Sequence, residues 1–171
     1  ATAAQISEAE EEALAYEQRI KEQEENLTAL RAKLAEEIRM AELAAQSSWR
    51  DISEVSFAEG DRYLLANLIY CEAGAEPYVG KVAVGSVVIN RVLSSVYPDT
   101  VTGVIYQNKQ FSPVASGRLA LALAEGRANA DCYRAADEVM KGTTTVGNCV
   151  YFRTPVEGIS PKYTIGGHIF Y

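Results

Sequence analysis

DRYLLANLIYCEAGAEP, residues 61 to 77, is an apolar helical pattern that ends on an acid. Leu65, Leu68 and Ile69 fall at i, i+3 and i+4, and the next position on that face, i+7, is Glu72. Gly74 is a natural left-handed residue just past a helix end, and Pro77 cannot continue the helix, so Glu72 is expected in the last turn. That is the wrong end of a helix for an anion. Partial negative charge on the last carbonyls and loss of water on a buried face both disfavour the ionised carboxyl, so its pKa should rise. An acid that keeps its proton near neutral pH can serve as a general acid. The pattern alone leaves a second reading open, in which Glu72 is a surface residue or one half of a buried ion pair.

Downstream, Tyr78 to Ser95 carries Val82, Ala83, Val84, Val87, Val88, Ile89, Val92 and Leu93 and is apolar on nearly every side. Its length favours a buried central helix over a strand, with Gly85 and Ser86 letting a neighbouring helix approach closely. Asn90 inside this run must be hydrogen-bonded, either bracing the loop around Glu72 or satisfying backbone groups. Pro98-Asp99 marks a turn and Thr100 caps a short helix to Tyr106. Ser116 to Asn129 reads as a loop broken by a helical turn, and Asn129 or Ala130 to Met140 as an amphipathic helix stopped by Gly142. Asn148 to Phe152 and Tyr163 to Tyr171 suggest a small antiparallel hairpin joined by the loop at Pro155 to Pro161. The expected class is therefore α+β, a lysozyme-like, mostly helical domain with a small antiparallel β-hairpin.

Ahead of it, about Ser7 to Ser47 contains no Gly or Pro and shows a heptad with Ala13, Ile20, Leu27, Leu34 and Ala41 at a, and Tyr16, Gln23, Leu30 and Glu37 at d. A long coiled-coil-type helix of about 60 Å is expected, with a seam weakened by Gln23 and Glu37. The division predicted is residues 1–47 as the arm, 48–60 as a linker whose Trp49, Val55 and Phe57 dock onto the domain, and 61–171 as the domain. Self-association or a protein partner through the arm is expected, alongside the plainer reading of a solvated helix.

With 171 residues, 48% of them hydrophobic, the chain has room for one ordinary domain plus an extension. Its net charge of -7 argues against nucleic acid, and no run is apolar enough to span a bilayer. The arm is the more acidic part: residues 1–50 hold 11 acids and 6 bases, and residues 51–171 hold 12 and 10. Cys71, Cys132 and Cys149 show no zinc spacing and there is one histidine, so neither metal nor cofactor is expected. The start Ala-Thr-Ala-Ala suits a processed export product or a truncated chain, and an extracytoplasmic location is expected. After export Cys132 and Cys149 could pair. His168, beside Gly166-Gly167, either orients a ligand or is structural.

The runs IYCEAGAEPYVGKVAVGSVVINRV from Ile69, YPDTVTGVIYQNKQFSPV from Tyr97, CVYFRTP from Cys149 and TIGGHIFY from Thr164 resemble the cell wall hydrolase family of SleB and CwlJ type, the spore cortex-lytic enzymes and their relatives. The resemblance covers Tyr63 to Tyr171. It implies that Glu72, the first acid of the Glu-Ala-x-x-Glu-Pro segment, is the catalytic acid and Glu76 a supporting one, and that Phe111 and Ser112 lie beside the site. From sequence alone Phe111 is equally a core residue. Cys71 and Gly74-Ala75 depart from the Ala before the acid and the Arg-Gly after it that typical members carry.

The implied substrate is peptidoglycan, cut between MurNAc and GlcNAc. Because Asp99 and Asp131 are explained as helix starts and Glu76 is expected to be exposed, one acid is available where ordinary glycosidases need two. A single-acid lytic transglycosylase fits. Tyr70, Tyr78, Tyr106, Tyr151 and Phe152 are candidates to line a sugar groove, several of them being core instead. The substrate-contact set expected is Glu76, Phe111, Ser112, Tyr151, Tyr78 and His168. Three rivals stand beside this reading: a water-using muramidase, a thiol hydrolase on Cys71 and His168, and a non-catalytic wall assembly protein whose arm is the working part. Cys71 sits at the helix end that disfavours a thiolate.

Overall fold

A computed structural model describes residues 1–108 and 110–171. Two compact units divide between Glu37 and Ile38. The first lies in helix α1, Ala3–Gln46, where good helix formers run unbroken and Leu14, Tyr16, Ile20 and Leu27 are exposed. Its last turns belong to the second unit, where Met40, Ala41 and Ala44 join a small cluster with Trp49, Tyr97, Val150, Tyr151 and Tyr171. Ser47 to Gly60 follows the domain surface. Trp49 forms a bridge with Ser94 and donates from Nε1 to the Ala44 carbonyl at 2.9 Å, and Ile52, Val55 and Phe57 pack on the main core.

That core is built around α2, Asp61–Ala73, and α3, Tyr78–Leu93. In α2, Leu65, Leu68 and Ile69 are fully buried, as their spacing requires. Every residue of α3 from Gly80 to Val92 is buried, so a β-branched sequence of modest helix propensity is held helical by packing on all sides. Gly85 is where α2 and α7, Ala130–Met140, crowd in: a Cβ there would meet Ile69 and Val139 at 3.1 Å. Asn90 donates to the carbonyls of Gly147 and Cys149, so it satisfies backbone groups and does not reach Glu72. The Thr100 hydroxyl caps α4, Val101–Ile105, and the Asn129 side chain caps α7.

Three differences from the sequence reading follow from local chemistry. Ser116 to Asn129 is mainly a helix, α6, Arg118–Glu125, preceded by a short α5, Ser112–Ala115. Left-handed Gly117 and Gly126 bracket α6, a start and stop signal hidden by the small residues between them. Cys132 and Cys149 are free buried thiols with no disulfide between them. Finally, the sheet has three strands, β1 Phe152–Arg153, β2 Tyr163–Ile165 and β3 His168–Phe170, in the order β1-β3-β2 and antiparallel. The tight hairpin is β2-β3, turning at Gly166-Gly167, while the Pro155–Pro161 loop carries β1 over to the far edge. Ile165 pairs with His168, which leaves two residues for the turn, and Gly166 with φ +57° supplies the positive φ such turns require.

Candidate active site

Glu72 occupies the last turn of α2, at the mouth of an open groove of about 590 Å³ lined by Tyr70, Cys71, Glu72, Glu76, Arg118, Leu121, Arg127 and His168 among others. Its carboxyl is mostly buried and, among the described residues, has no hydrogen-bond or ion-pair partner. Burial pushes it up to about 7, against the opposing pull of the Arg118 charge. The acid therefore holds its proton far closer to neutral pH than an ordinary carboxyl does. The reading of Glu72 as half of a close ion pair does not hold. Gly74 differs from its expected role, with φ -57° and a right-handed conformation. The end of α2 is secured instead by buried Lys81, whose Nζ donates to the carbonyls of Gly74 at 3.3 Å and Glu76 at 2.5 Å. A cation on the last carbonyls replaces a left-handed cap.

Glu76 is not exposed as its position after Gly74 suggested. Its side chain is 19% exposed, both oxygens accept from the Gly167 N–H at 3.1–3.2 Å, and His168 Nδ1 stands 3.5 Å away. A Cβ on Gly166 would collide with the Glu76 carboxylate and one on Gly167 would meet it at 2.9 Å, so the glycine pair is shaped around this acid. His168 has its ring edge to Phe152, centroids 5.3 Å apart, which fixes the imidazole at the groove wall.

The remaining expected contacts are spread more widely. Ser112 reaches the groove through Arg118, whose Nη2 donates to its Oγ at 3.2 Å. Phe111 is buried against Phe152 and the Arg91 guanidinium. Tyr151 is buried, stacked on Tyr171 at 5.4 Å with Arg91 above it. Tyr78 packs under Arg134, 3.9 Å from its ring centroid, and does not line the groove. Of the tyrosines considered for stacking, Tyr70 lines it. Cys71 also lines it, but burial raises its thiol pKa, which opposes thiolate chemistry there. Arg118 and Arg127 were not foreseen, because their segment was read as loop.

A family model described as Cell Wall Hydrolase matches residues 75–171. A Bacillus cereus spore cortex-lytic enzyme is 36% identical over 121 residues, 67% of this chain and 45% of the relative. The chain thus spans less than half the length of the curated relative it matches. Among solved structures, the catalytic domain of Bacillus cereus SleB is 34% identical with a TM-score of 0.60, the match covering 71% of this chain and 96% of that one. The catalytic domain of a germination-specific lytic transglycosylase, SleB from Bacillus anthracis, is 34% identical with a TM-score of 0.58, covering 67% and 96%. The mostly helical fold with its small antiparallel sheet is that of the SleB catalytic domain.

Proposed function

The chain belongs to the cell wall hydrolase family, and from that premise we propose that it cleaves the MurNAc–GlcNAc bond of peptidoglycan as a lytic transglycosylase, with Glu72 as its one acid and base. The observation that carries this is the unpartnered Glu72 carboxyl, raised to about 7 in an open groove. Protonated Glu72 gives its proton to the glycosidic oxygen as that bond breaks. The resulting carboxylate takes the proton of the same sugar's primary hydroxyl, whose oxygen bonds to the anomeric carbon and closes a 1,6-anhydro ring. Arg118 favours the carboxylate formed halfway. No water is consumed, so no second carboxylate is needed to activate one. Glu76, clasped by Gly167 and beside His168, positions the groove wall. The relative from Bacillus anthracis bears the name of this reaction.

The substrate places the protein outside the cytoplasm, at the wall or spore envelope. Within the chain, residues 61–171 are the catalytic domain, 48–60 the linker, and 1–47 an arm whose last turns pack with the domain and whose exposed apolar positions, Leu14, Tyr16, Ile20 and Leu27, self-associate or meet another protein. A water-using muramidase is the second reading, favoured by one observation: Glu76 borders the same groove as Glu72.

Mass spectrometry of products released from purified peptidoglycan separates the two. Anhydro-muropeptides from the wild type and none from Glu72→Gln are expected. Reducing ends lost in both Glu72→Gln and Glu76→Gln would assign hydrolysis. Cleavage undiminished in Glu72→Gln would overturn both.

A further inference from the structure

Two guanidiniums border the groove, and the proton transfers assigned to Glu72 use neither as a reactant. Arg118 opens α6. Its side chain donates to Ser112 Oγ and Ser116 Oγ, each at 3.2 Å, and to the Cys71 carbonyl at 3.5 Å. All three acceptors are neutral, and among the described residues no carboxylate lies within ion-pair distance of Arg118. The side chain is thus pinned while its charge remains unneutralised.

Arg127 lies past the other end of α6. Its N–H donates to the Ala122 carbonyl at 3.1 Å, and the next residue, Ala128, donates to the buried Asn67 side chain of α2 at 3.1 Å. Tyr63 of α2 likewise donates to the Leu123 carbonyl at 2.5 Å. Arg127 Nε shares its charge with the exposed Glu125 at 2.7 Å. Leu121, 45% exposed, is the apolar residue of α6 that lines the same groove. The α6 wall is therefore cationic and apolar, while the facing elements contribute Glu76 and His168.

Breaking a glycosidic bond builds positive charge on the sugar ring, which two guanidiniums beside that ring would oppose. They suit a group that hangs off the ring. In a strand of neutral amino sugars the anions are carboxylates, on the lactyl ether of the muramyl residue or along the stem peptide. The fork of an arginine matches a carboxylate in both charge and geometry. A chain of net charge -7 repels such groups at long range, so their capture requires local cations. Resting on the glycan substrate proposed above, we infer that Arg118 and Arg127 bind carboxylates carried by the substituents of the glycan strand, and so fix which side of the strand lies against α6.

The test is binding of the full chain carrying Glu72→Gln to insoluble wall sacculi in three forms: native, stripped of stem peptides by an amidase, and with carboxylates amidated by carbodiimide. Amidation should weaken binding about tenfold, and adding Arg118→Gln with Arg127→Gln should reduce that difference to about twofold or less. Arg118→Lys with Arg127→Lys should keep part of it, which guards against loss through misfolding. Removing the stem frees the lactyl carboxyl that it had capped as a neutral amide, so stripped walls that bind at least as tightly as native ones show that the α6 wall takes the lactyl carboxylate, and stripped walls that bind like amidated ones assign the stem. Amidated walls that bind as tightly as native walls, or more tightly as the net charge alone predicts, would overturn the inference. Because the reading is of binding, a wild type that cuts nothing would sink the proposed reaction and leave this result standing.

Discussion

The end of α2 and the loop that follows it each present a glutamate to the same groove, and they hold it by opposite means. Glu72 is largely removed from water and, among the described residues, offered no partner, so its pKa rises to about 7. Glu76 is given two hydrogen bonds from Gly167 and a histidine neighbour. Three residues of chain lie between the proposed acid and the clasped one. Environment, and not residue type, sets the difference: a helix face points Glu72 into a desolvated mouth, while a turn from the far end of the chain closes over Glu76.

The comparison breaks most visibly at Glu72. Loss of a general acid should slow cleavage about 10²–10⁴-fold in Glu72→Gln. The same change should stabilise the protein above neutral pH. The folded carboxyl titrates near 7 and its ordinary value is 4.5, so the folded state binds the extra proton and wild-type stability falls as pH rises between those values. At pH 8 Glu72→Gln should be more stable by about 3 kcal/mol, with the gain gone at pH 4. Chemical denaturation at the two pH values checks it, and a pH-independent difference would contradict the assigned burial effect.

The anchor should respond in the other direction. Gly166→Ala places a side chain at positive φ and against the Glu76 carboxylate, and should cost about 1–2 kcal/mol or more of stability. A melting temperature unchanged by this substitution would show the clasp to be loose. Smallest is the effect of Arg118. Cleavage by the wild type should fall as pH rises through about 7, because the protonated acid is consumed by titration. Arg118→Met removes the charge that opposes the burial effect, so that limb should move to higher pH. A limb that stays put, read from pH–rate profiles of the two proteins, would separate Arg118 from the acid.

Local patterns made much of this legible. Leu65, Leu68 and Ile69 at i, i+3 and i+4 predicted the buried face of α2, Gly85 predicted close helix packing, and Thr100 and Asn129 predicted their own caps. The family motifs pointed to Glu72 within its acid-containing run. Less was legible where the partner is remote. Lys81, a charge within the apolar run of α3, closes the end of α2 by reaching back to two carbonyls, a role no local pattern carries. The Gly166-Gly167 pair lay inside the run Tyr163 to Tyr171 that was read as one strand, and nothing in either glycine shows that a carboxylate ninety residues earlier fills the space where a Cβ would be.

Sequence by itself determined the helical segments other than α5 and α6, that an acid terminates an apolar stripe, and which family's motifs the chain carries, because periodicity, caps and short motifs are properties of neighbours along the chain. Tertiary structure alone decided that Glu72 stands unpartnered, that Glu76 is clasped, and that Arg118 and Arg127 share the groove with both. Desolvation and charge coupling act through space, and the residues that create them here come from α2, α6 and the last hairpin, which meet only when the chain is folded.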